Sequence, residues 1–205
     1  MSFQSVTDFE NKIAEYFGSP YAISVDCCTH GIELCLRLSN SGRMTVPTRT
    51  YLSIPFLADK LDIKLHWKDE EWKDYYYINT DVHWKRNYQI IDAAVLWKKN
   101  SYMSRTFMCL SFQFQKHLSL GRGGMILTDD KEARDELKKM TYDGRLPNIP
   151  WREQNIKSMG YHYYMTPETA INGMKKLPDA IKNKPKQWLI SDYPDLRNME
   201  IFKNG

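Results

Sequence analysis

The sequence predicts an α/β fold in which helices cover the faces of a sheet, and three observations support this. Short apolar runs of strand length recur at 21–25, 44–46, 63–67, 88–91, 107–110 and 125–127. Stretches with helical spacing of apolar residues fall between several of them, and strand–helix alternation is the signature of that architecture. Finally, 205 residues that are 42% hydrophobic supply one core and at most a small appendage.

Taken in order, Thr7 and Glu10 read as a T-x-x-E capping box for a first helix, with Phe9, Ile13, Tyr16 and Phe17 on one side and Gly18 as its stop. The strand YAISV follows at 21–25. A polar turn, Asp26-Cys27-Cys28-Thr29-His30-Gly31, then leads into a helix that starts near Thr29 and carries Ile32, Leu34, Cys35 and Leu38. Residues 51–61 have helical character. Residues 131–141 are a strong helix, with Ala133, Leu137 and Met140 on one face. After Tyr142 the composition changes: DGRLPNIPWREQN reads as a loop. Thr166 caps another helix with Pro167 at its first position. From Lys182 onward the polar, proline-containing sequence predicts a poorly packed stretch.

Composition excludes several classes. Charged residues are 26% of the chain, with 10 glycines and 9 prolines, which rules out disordered and collagen-like chains. No apolar run approaches the roughly 20 residues that cross a bilayer. The opening MSFQSVTDFENK lacks the basic and apolar regions of a signal peptide, so the expected location is the cytoplasm, with no membrane partner. A net charge of +4 is too small to argue for nucleic acid. The basic excess in 171–205, near Trp188 and Tyr193, reads as solvated surface charge, so no nucleic-acid partner is expected. The 4 cysteines include no C-x-x-C pair, which predicts reduced thiols and no metal site.

Three places carry possible chemistry. At Thr29 a hydroxyl and the free N–H groups of a helix N-terminus suit a phosphate, although a plain N-cap explains the residue equally. In Gln89-Ile90-Ile91-Asp92-Ala93-Ala94 an apolar strand ends in an acid, which puts a carboxylate at the sheet edge where open α/β sheets bind ligands. Buried there it needs a cationic partner, and a protonated pyridine nitrogen is one; a capping or turn aspartate is the alternative. In SFQFQKHLSLGRGG a lysine follows Ser111 by five residues and precedes a glycine-rich loop. A lysine of depressed pKa condenses with aldehydes, whereas Lys116 as a surface lysine beside a turn needs no function.

The order Thr29, Asp92, Ser111, Lys116 resembles that of the pyridoxal-phosphate (PLP)-dependent sugar aminotransferases of the DegT/StrS family. The similar segments are FENKIAEYFGSPYAISVDCCTHGIEL, VPTRTY, IIDAA, SFQFQK, GRGGMILTDD and GYHYYMTPETAINGMKKL, which together cover most of 7–177. The resemblance implies an aspartate-aminotransferase-like (type I PLP) large domain with a mainly parallel sheet, spanning 1–145. A linker and residual helical segment would follow at 146–205, a much reduced small domain. It implies that Lys116 bonds the cofactor aldehyde and shuttles a proton, that Asp92 pairs with the pyridinium nitrogen, and that Tyr51 stacks on the ring. Thr29, the backbone around Cys28 and His30, and Ser111 would hold the phosphate. His162 would reach the phosphate of a partner subunit, so a homodimer with shared sites is expected.

The implied reaction moves an amino group, with glutamate as the expected amino-acid donor, to a keto-sugar nucleotide in polysaccharide assembly. Departures from the family pattern are His162 for Asn, Tyr164 for Arg, Val95 for Gln or His and Cys28 for Gly, together with shortening between 67 and 88 and in the second domain. These leave open a catalytically impaired scaffold protein that keeps the fold. A sugar dehydratase is a further alternative, disfavoured by Lys116 but raised by the adjacent His117.

Overall fold

The computed structural model describes residues 3–85 and 88–203, so the extreme residues of the opening segment and of the 182–205 stretch lie outside the described residues. The helices are α1 (Gln4–Phe17), α2 (Cys28–Ser39), α3 (Ser53–Leu61), α4 (Lys131–Thr141) and α5 (Pro167–Lys182). The strands are β1 (Tyr21–Val25), β2 (Arg43–Pro47), β3 (Lys64–Lys68), β4 (Tyr76–Thr80), β5 (Gln89–Asp92), β6 (Thr106–Ser111) and β7 (Gly124–Thr128). They form one 7-stranded sheet in the order β1-β7-β6-β5-β4-β2-β3.

Strand direction is mainly parallel: β1, β2, β3, β5 and β6 point one way, and β4 and β7 the other. Hydrogen-bonded neighbours are nonetheless parallel only at β2·β3 and β5·β6. The cause lies in the connections. A parallel return needs a crossover of about a dozen residues or more, usually a helix. Residues 69–75, between β3 and β4, contain no helix, and β4 comes back antiparallel to β2. Strand β4, which takes in the last two of the three tyrosines at 75–77, is the one strand that the apolar pattern did not predict.

The sheet separates two cores by strict alternation of side chains. Ile90, Phe107, Cys109 and Ile126 face a cluster with Ile32, Cys35 and Leu36 of α2 and Leu137 of α4. Their neighbours Ile91, Met108, Leu110, Met125 and Leu127 face the opposite cluster, with Phe9, Ile13 and Phe17 of α1 and Ala170 and Leu177 of α5. Segment 146–203 thus contributes helix α5 to the same fold. Its 3₁₀ turns Ile190–Asp192, Leu196–Asn198 and Glu200–Phe202 follow, and Tyr193 and Leu196 are buried, which corrects the expectation of a poorly packed stretch after Lys182.

The capping box predicted for α1 is also corrected. The helix begins at Gln4, so Thr7 lies within its first two turns and its hydroxyl donates back to the Phe3 carbonyl at 3.4 Å. Glu10 is buried instead. It accepts from the Ser24 N–H and hydroxyl, both at 2.9 Å, and pairs with Lys138 at 2.5 Å, joining α1, β1 and α4. Gly18 does end the helix, at φ 75°, a left-handed conformation that glycine adopts without penalty. Helices α4 and α5 start as predicted, with Asp130 and Thr166 accepting from the N–H groups of Ala133 and Thr169. Among the described residues no helix is long and apolar enough to cross a membrane.

Candidate active site

The five co-directional strands end on one edge of the sheet, and in such sheets that edge is where ligands bind. There β1 runs into α2, β2 into residues 48–52, β5 ends at Asp92 and β6 ends at Ser111. A cavity of about 610 Å³ opens between these ends, lined by Cys28, Thr29, Tyr51, Asp92, Ser111 and Lys116. Six of the sequence-predicted residues therefore meet in one place, although as many as 88 positions separate Cys28 from Lys116 along the chain.

Asp92 is buried at the floor, with its two oxygens held separately. The Tyr76 hydroxyl donates to Oδ2 at 2.5 Å and the Ala94 N–H to Oδ1 at 2.9 Å. Thr50 hydrogen-bonds the Tyr76 hydroxyl in turn, extending the network to the end of β2. Among the described residues none forms an ion pair with Asp92. Burial raises its pKa, and the Tyr76 and Ala94 hydrogen bonds and the charge of Lys116 only partly offset this. Lys116 is shifted in the opposite sense. Burial lowers its pKa against the attraction of Asp92, which leaves the amine closer to its nucleophilic neutral form.

Helix α2 opens onto the cavity without a side-chain cap, so the first-turn N–H groups of Cys28, Thr29 and His30 remain available to an anion. Close approach of β7 to this turn requires Gly124, where a Cβ would lie 2.6 Å from the Cys28 nitrogen. The Thr29 hydroxyl is 2.7 Å from that of Ser53, and the Ser111 hydroxyl accepts weakly from the Gln113 N–H at 3.4 Å. Cys28 points its thiol at the Cys109 carbonyl, 3.6 Å away, and burial pushes that thiol's pKa well up, so it is inert.

Two predicted residues lie elsewhere. The His30 side chain turns away from the cavity, pairing with Asp26 at 2.6 Å and stacking on Tyr163 at 3.7 Å, so only its backbone belongs to the anion turn. His162 is exposed and pairs with Asp143 at 3.1 Å, outside this chain's cavity. Tyr51 sits at the mouth, also largely exposed. His117 is occupied structurally: its Nε2 donates to the Ala180 carbonyl at 2.7 Å, anchoring α5.

Tyr76, Trp72, Trp188 and Tyr193, which complete the cavity wall, and Arg122 at its edge are not among the residues expected at the site from sequence. The Arg122 guanidinium pairs with Asp26 at 2.8 Å, tying the glycine loop after Lys116 to the anion turn. The dense aromatics around 72–77 and 188–193 were the available signal.

Comparison with known proteins gives the same picture. The chain is 24% identical, over 94% of its length, to the uncharacterized protein MJ1066 of Methanocaldococcus jannaschii, of which the match covers 62%. The fold matches that of 3-amino-5-hydroxybenzoic acid synthase with a TM-score of 0.71 and 19% identity, over 87% of this chain and 56% of that one. It matches a sugar aminotransferase of Micromonospora echinospora with a TM-score of 0.67 and 14% identity, over 87% and 61%. The chain thus spans less than two thirds of these relatives and has the type I, aspartate-aminotransferase-like fold. A family profile matches residues 1–61 and 97–192, leaving β3, β4 and β5 with Asp92 outside the match. On that match the chain belongs to the DegT/DnrJ/EryC1/StrS aminotransferase family.

Proposed function

We propose that this chain carries the cofactor site of a PLP-dependent aminotransferase acting in the cytoplasm, with 1–145 as the cofactor-binding domain and 146–205 as linker and residual helical segment. The substrates would be an amino-acid donor, with glutamate the expected one, and a keto-sugar nucleotide. One observation carries the reading: a buried carboxylate, Asp92, has no cationic partner and shares a cavity with a lysine whose pKa is lowered.

The donor set fits pyridoxal phosphate. Asp92 would hold the proton of the pyridine nitrogen, and that partner would satisfy a carboxylate otherwise costly to bury. The first-turn N–H groups of α2, with the Thr29 and Ser111 hydroxyls, would hold the phosphate. Tyr51 would cover the ring. When bound, the cofactor supplies an electron sink for charge at the reacting carbon. The Lys116 Nζ would bond the cofactor aldehyde, and as a free amine it would carry a proton to and from the reacting carbon. The exposed position of His162 suits a contact with a partner subunit's site, so the reading includes a homodimer.

The test is reconstitution. Protein incubated with pyridoxal phosphate should turn yellow, and borohydride should trap a mass adduct on Lys116; Lys116→Ala should show neither. A colourless wild type with no adduct on Lys116 would overturn the reading.

A second reading, a scaffold protein without turnover, is favoured by one observation: an indole already covers the Lys116 amine, with Nζ 4.3 Å from the Trp188 ring centroid. Lysine-dependent transamination of any keto-sugar would remove it. The dehydratase alternative is weakened because Lys116 lines the cavity and His117 is committed to Ala180.

A further inference from the structure

Residues 186–199 cross the mouth of the Lys116 cavity and are fastened there. The Arg49 guanidinium donates to the Tyr193 carbonyl at 2.8 Å, and the Leu196 N–H donates to the Thr48 carbonyl at 2.9 Å. The Tyr193 ring lies against Trp72, with centroids 5.1 Å apart, and both Tyr193 and Leu196 are buried. Upstream, residues 183–187 are exposed apart from half-buried Pro185, so the fastened stretch hangs from α5 by a segment with little packing of its own.

Two aromatic rings of this stretch sit at the two ends of the site. Lys116 Nζ is 4.3 Å from the Trp188 ring centroid, in contact with the indole face, and Lys186 Nζ is 4.0 Å from the same ring. Tyr193 sits at the other end, close enough to Asp92 for that carboxylate to act on its hydroxyl. The two rings are 6.4 Å apart, and both line the cavity that Lys116 and Asp92 share.

We infer that residues 186–199 form a latch over the Lys116–Asp92 cavity, and that Trp188 decides which carbonyl compounds reach the Lys116 amine. The identity of the natural aldehyde rests on the function proposed above; the shielding of the amine does not. A carbonyl carbon has to come within bonding distance of Nζ, and the indole already occupies one side of that atom. On this reading a one-carbon aldehyde reaches the amine with the latch closed, whereas a ring-bearing aldehyde has to displace the indole. Cation–π contacts and single hydrogen bonds are individually weak, so loosening either fastening opens the latch measurably.

The experiment is competitive labelling of the full-length chain with aldehyde and cyanoborohydride. The amine adds to the aldehyde, water leaves, and hydride reduces the resulting C=N bond, fixing the adduct for peptide mass spectrometry. Wild type, Trp188→Ala and Arg49→Ala are compared with formaldehyde, benzaldehyde and pyridoxal phosphate, using the exposed Lys184 as internal reference. Trp188→Ala should raise the Lys116 rate with benzaldehyde by about fivefold or more, the factor expected for a lost cation–π contact, and Arg49→Ala by about twofold or more, the factor for a lost hydrogen bond; both should change the formaldehyde rate by less than about twofold. The gain should persist across the pH range, and Trp188→Phe should retain most of the shielding. Because Arg49→Ala leaves Trp188 in place, it decides the matter if Trp188→Ala fails to fold. An unchanged benzaldehyde rate in the folded variants overturns the latch. So does a gain that vanishes at high pH, which would mean that Trp188 acts on the proton of Lys116 rather than on access to it. The pyridoxal phosphate arm reports separately: if it never labels Lys116 above Lys184, the cofactor reading fails while benzaldehyde still decides the latch.

Discussion

The Tyr76 hydroxyl donates a 2.5 Å hydrogen bond to Oδ2 of Asp92, and this contact links an unpredicted strand to the residue on which the cofactor reading depends. Tyr76 sits on β4 and Asp92 at the end of β5, where the two are register partners across an antiparallel pair. Replacing Tyr76 with Phe leaves a buried carboxylate oxygen without its donor. We expect a loss of about 1–3 kcal/mol in urea unfolding. Pyridoxal phosphate, if it neutralises Asp92 as proposed, should restore part of that loss. Unaltered stability in Tyr76→Phe would show that the hydroxyl contributes nothing to holding the carboxylate.

The pair Asp26–His30 should make stability depend on pH. Burial disfavours the imidazolium, but the hydrogen bond to Asp26 and the neighbouring Cys27 outweigh it and raise His30 from 6.5 to about 9. A base whose pKa is raised on folding stabilises the fold fully below its unfolded value and loses that contribution as pH climbs through the folded one. The stabilisation should thus be complete below pH 6.5 and gone above about pH 9. At about 1.4 kcal/mol per unit its ceiling is about 3 kcal/mol, reduced by the partial exposure of the ring. Denaturation midpoints measured across that window should fall in the wild type and stay flatter in His30→Gln.

Gly124→Ala tests the anion turn. The added Cβ would meet the Cys28 nitrogen at 2.6 Å and the Cys27 carbonyl carbon at 2.7 Å, backbone atoms that cannot rotate aside. The α2 N-terminus has to shift, at a cost of about 1–3 kcal/mol. If that turn holds the phosphate, binding of pyridoxal phosphate should weaken more than binding of pyridoxal. Equal weakening of both would place the phosphate elsewhere.

Glu33 anchors α2 from the inside. It is fully buried, and its carboxylate meets Arg37 at 2.9 Å, Lys60 at 2.8 Å and the Tyr163 hydroxyl at 3.3 Å. Removing the buried anion leaves cations that can still reach water. We therefore expect Glu33→Gln to cost about 2 kcal/mol, below the range for stranding a buried charge. Calorimetry should also show Lys60→Met costing less than Glu33→Gln, because Lys60 is largely exposed.

Much of the fold was legible because its signals are local. The runs at 107–110 and 125–127 are apolar on both faces, which only a doubly covered sheet tolerates, and β6 and β7 are such strands. Thr166-Pro167 is a chemical start signal, and α5 begins there; the apolar face of Ala133, Leu137 and Met140 marks α4. Thr7 misled because a threonine three residues before a glutamate has the same pattern whether it caps a helix or lies inside one. What decided the matter was that Glu10 is drawn into the core by Ser24 and Lys138, which the sequence places far away. Strand β4 was missed for a related reason. A tyrosine run has no apolar alternation, and Tyr76 is buried only because Thr50 and Asp92 satisfy its hydroxyl.

The sequence by itself determined the kind of chemistry available: an acid ending an apolar strand, a lysine five residues after a strand-end serine, and a threonine at a helix start. Each follows from covalent order and short-range geometry. Only the tertiary structure decided that these residues share one cavity, that His30 and His162 turn out of it, and that 186–199 folds back over it. Those outcomes depend on contacts between segments far apart in the chain, such as Arg49 with Tyr193 and Trp188 with Lys116, whose energies no local pattern encodes.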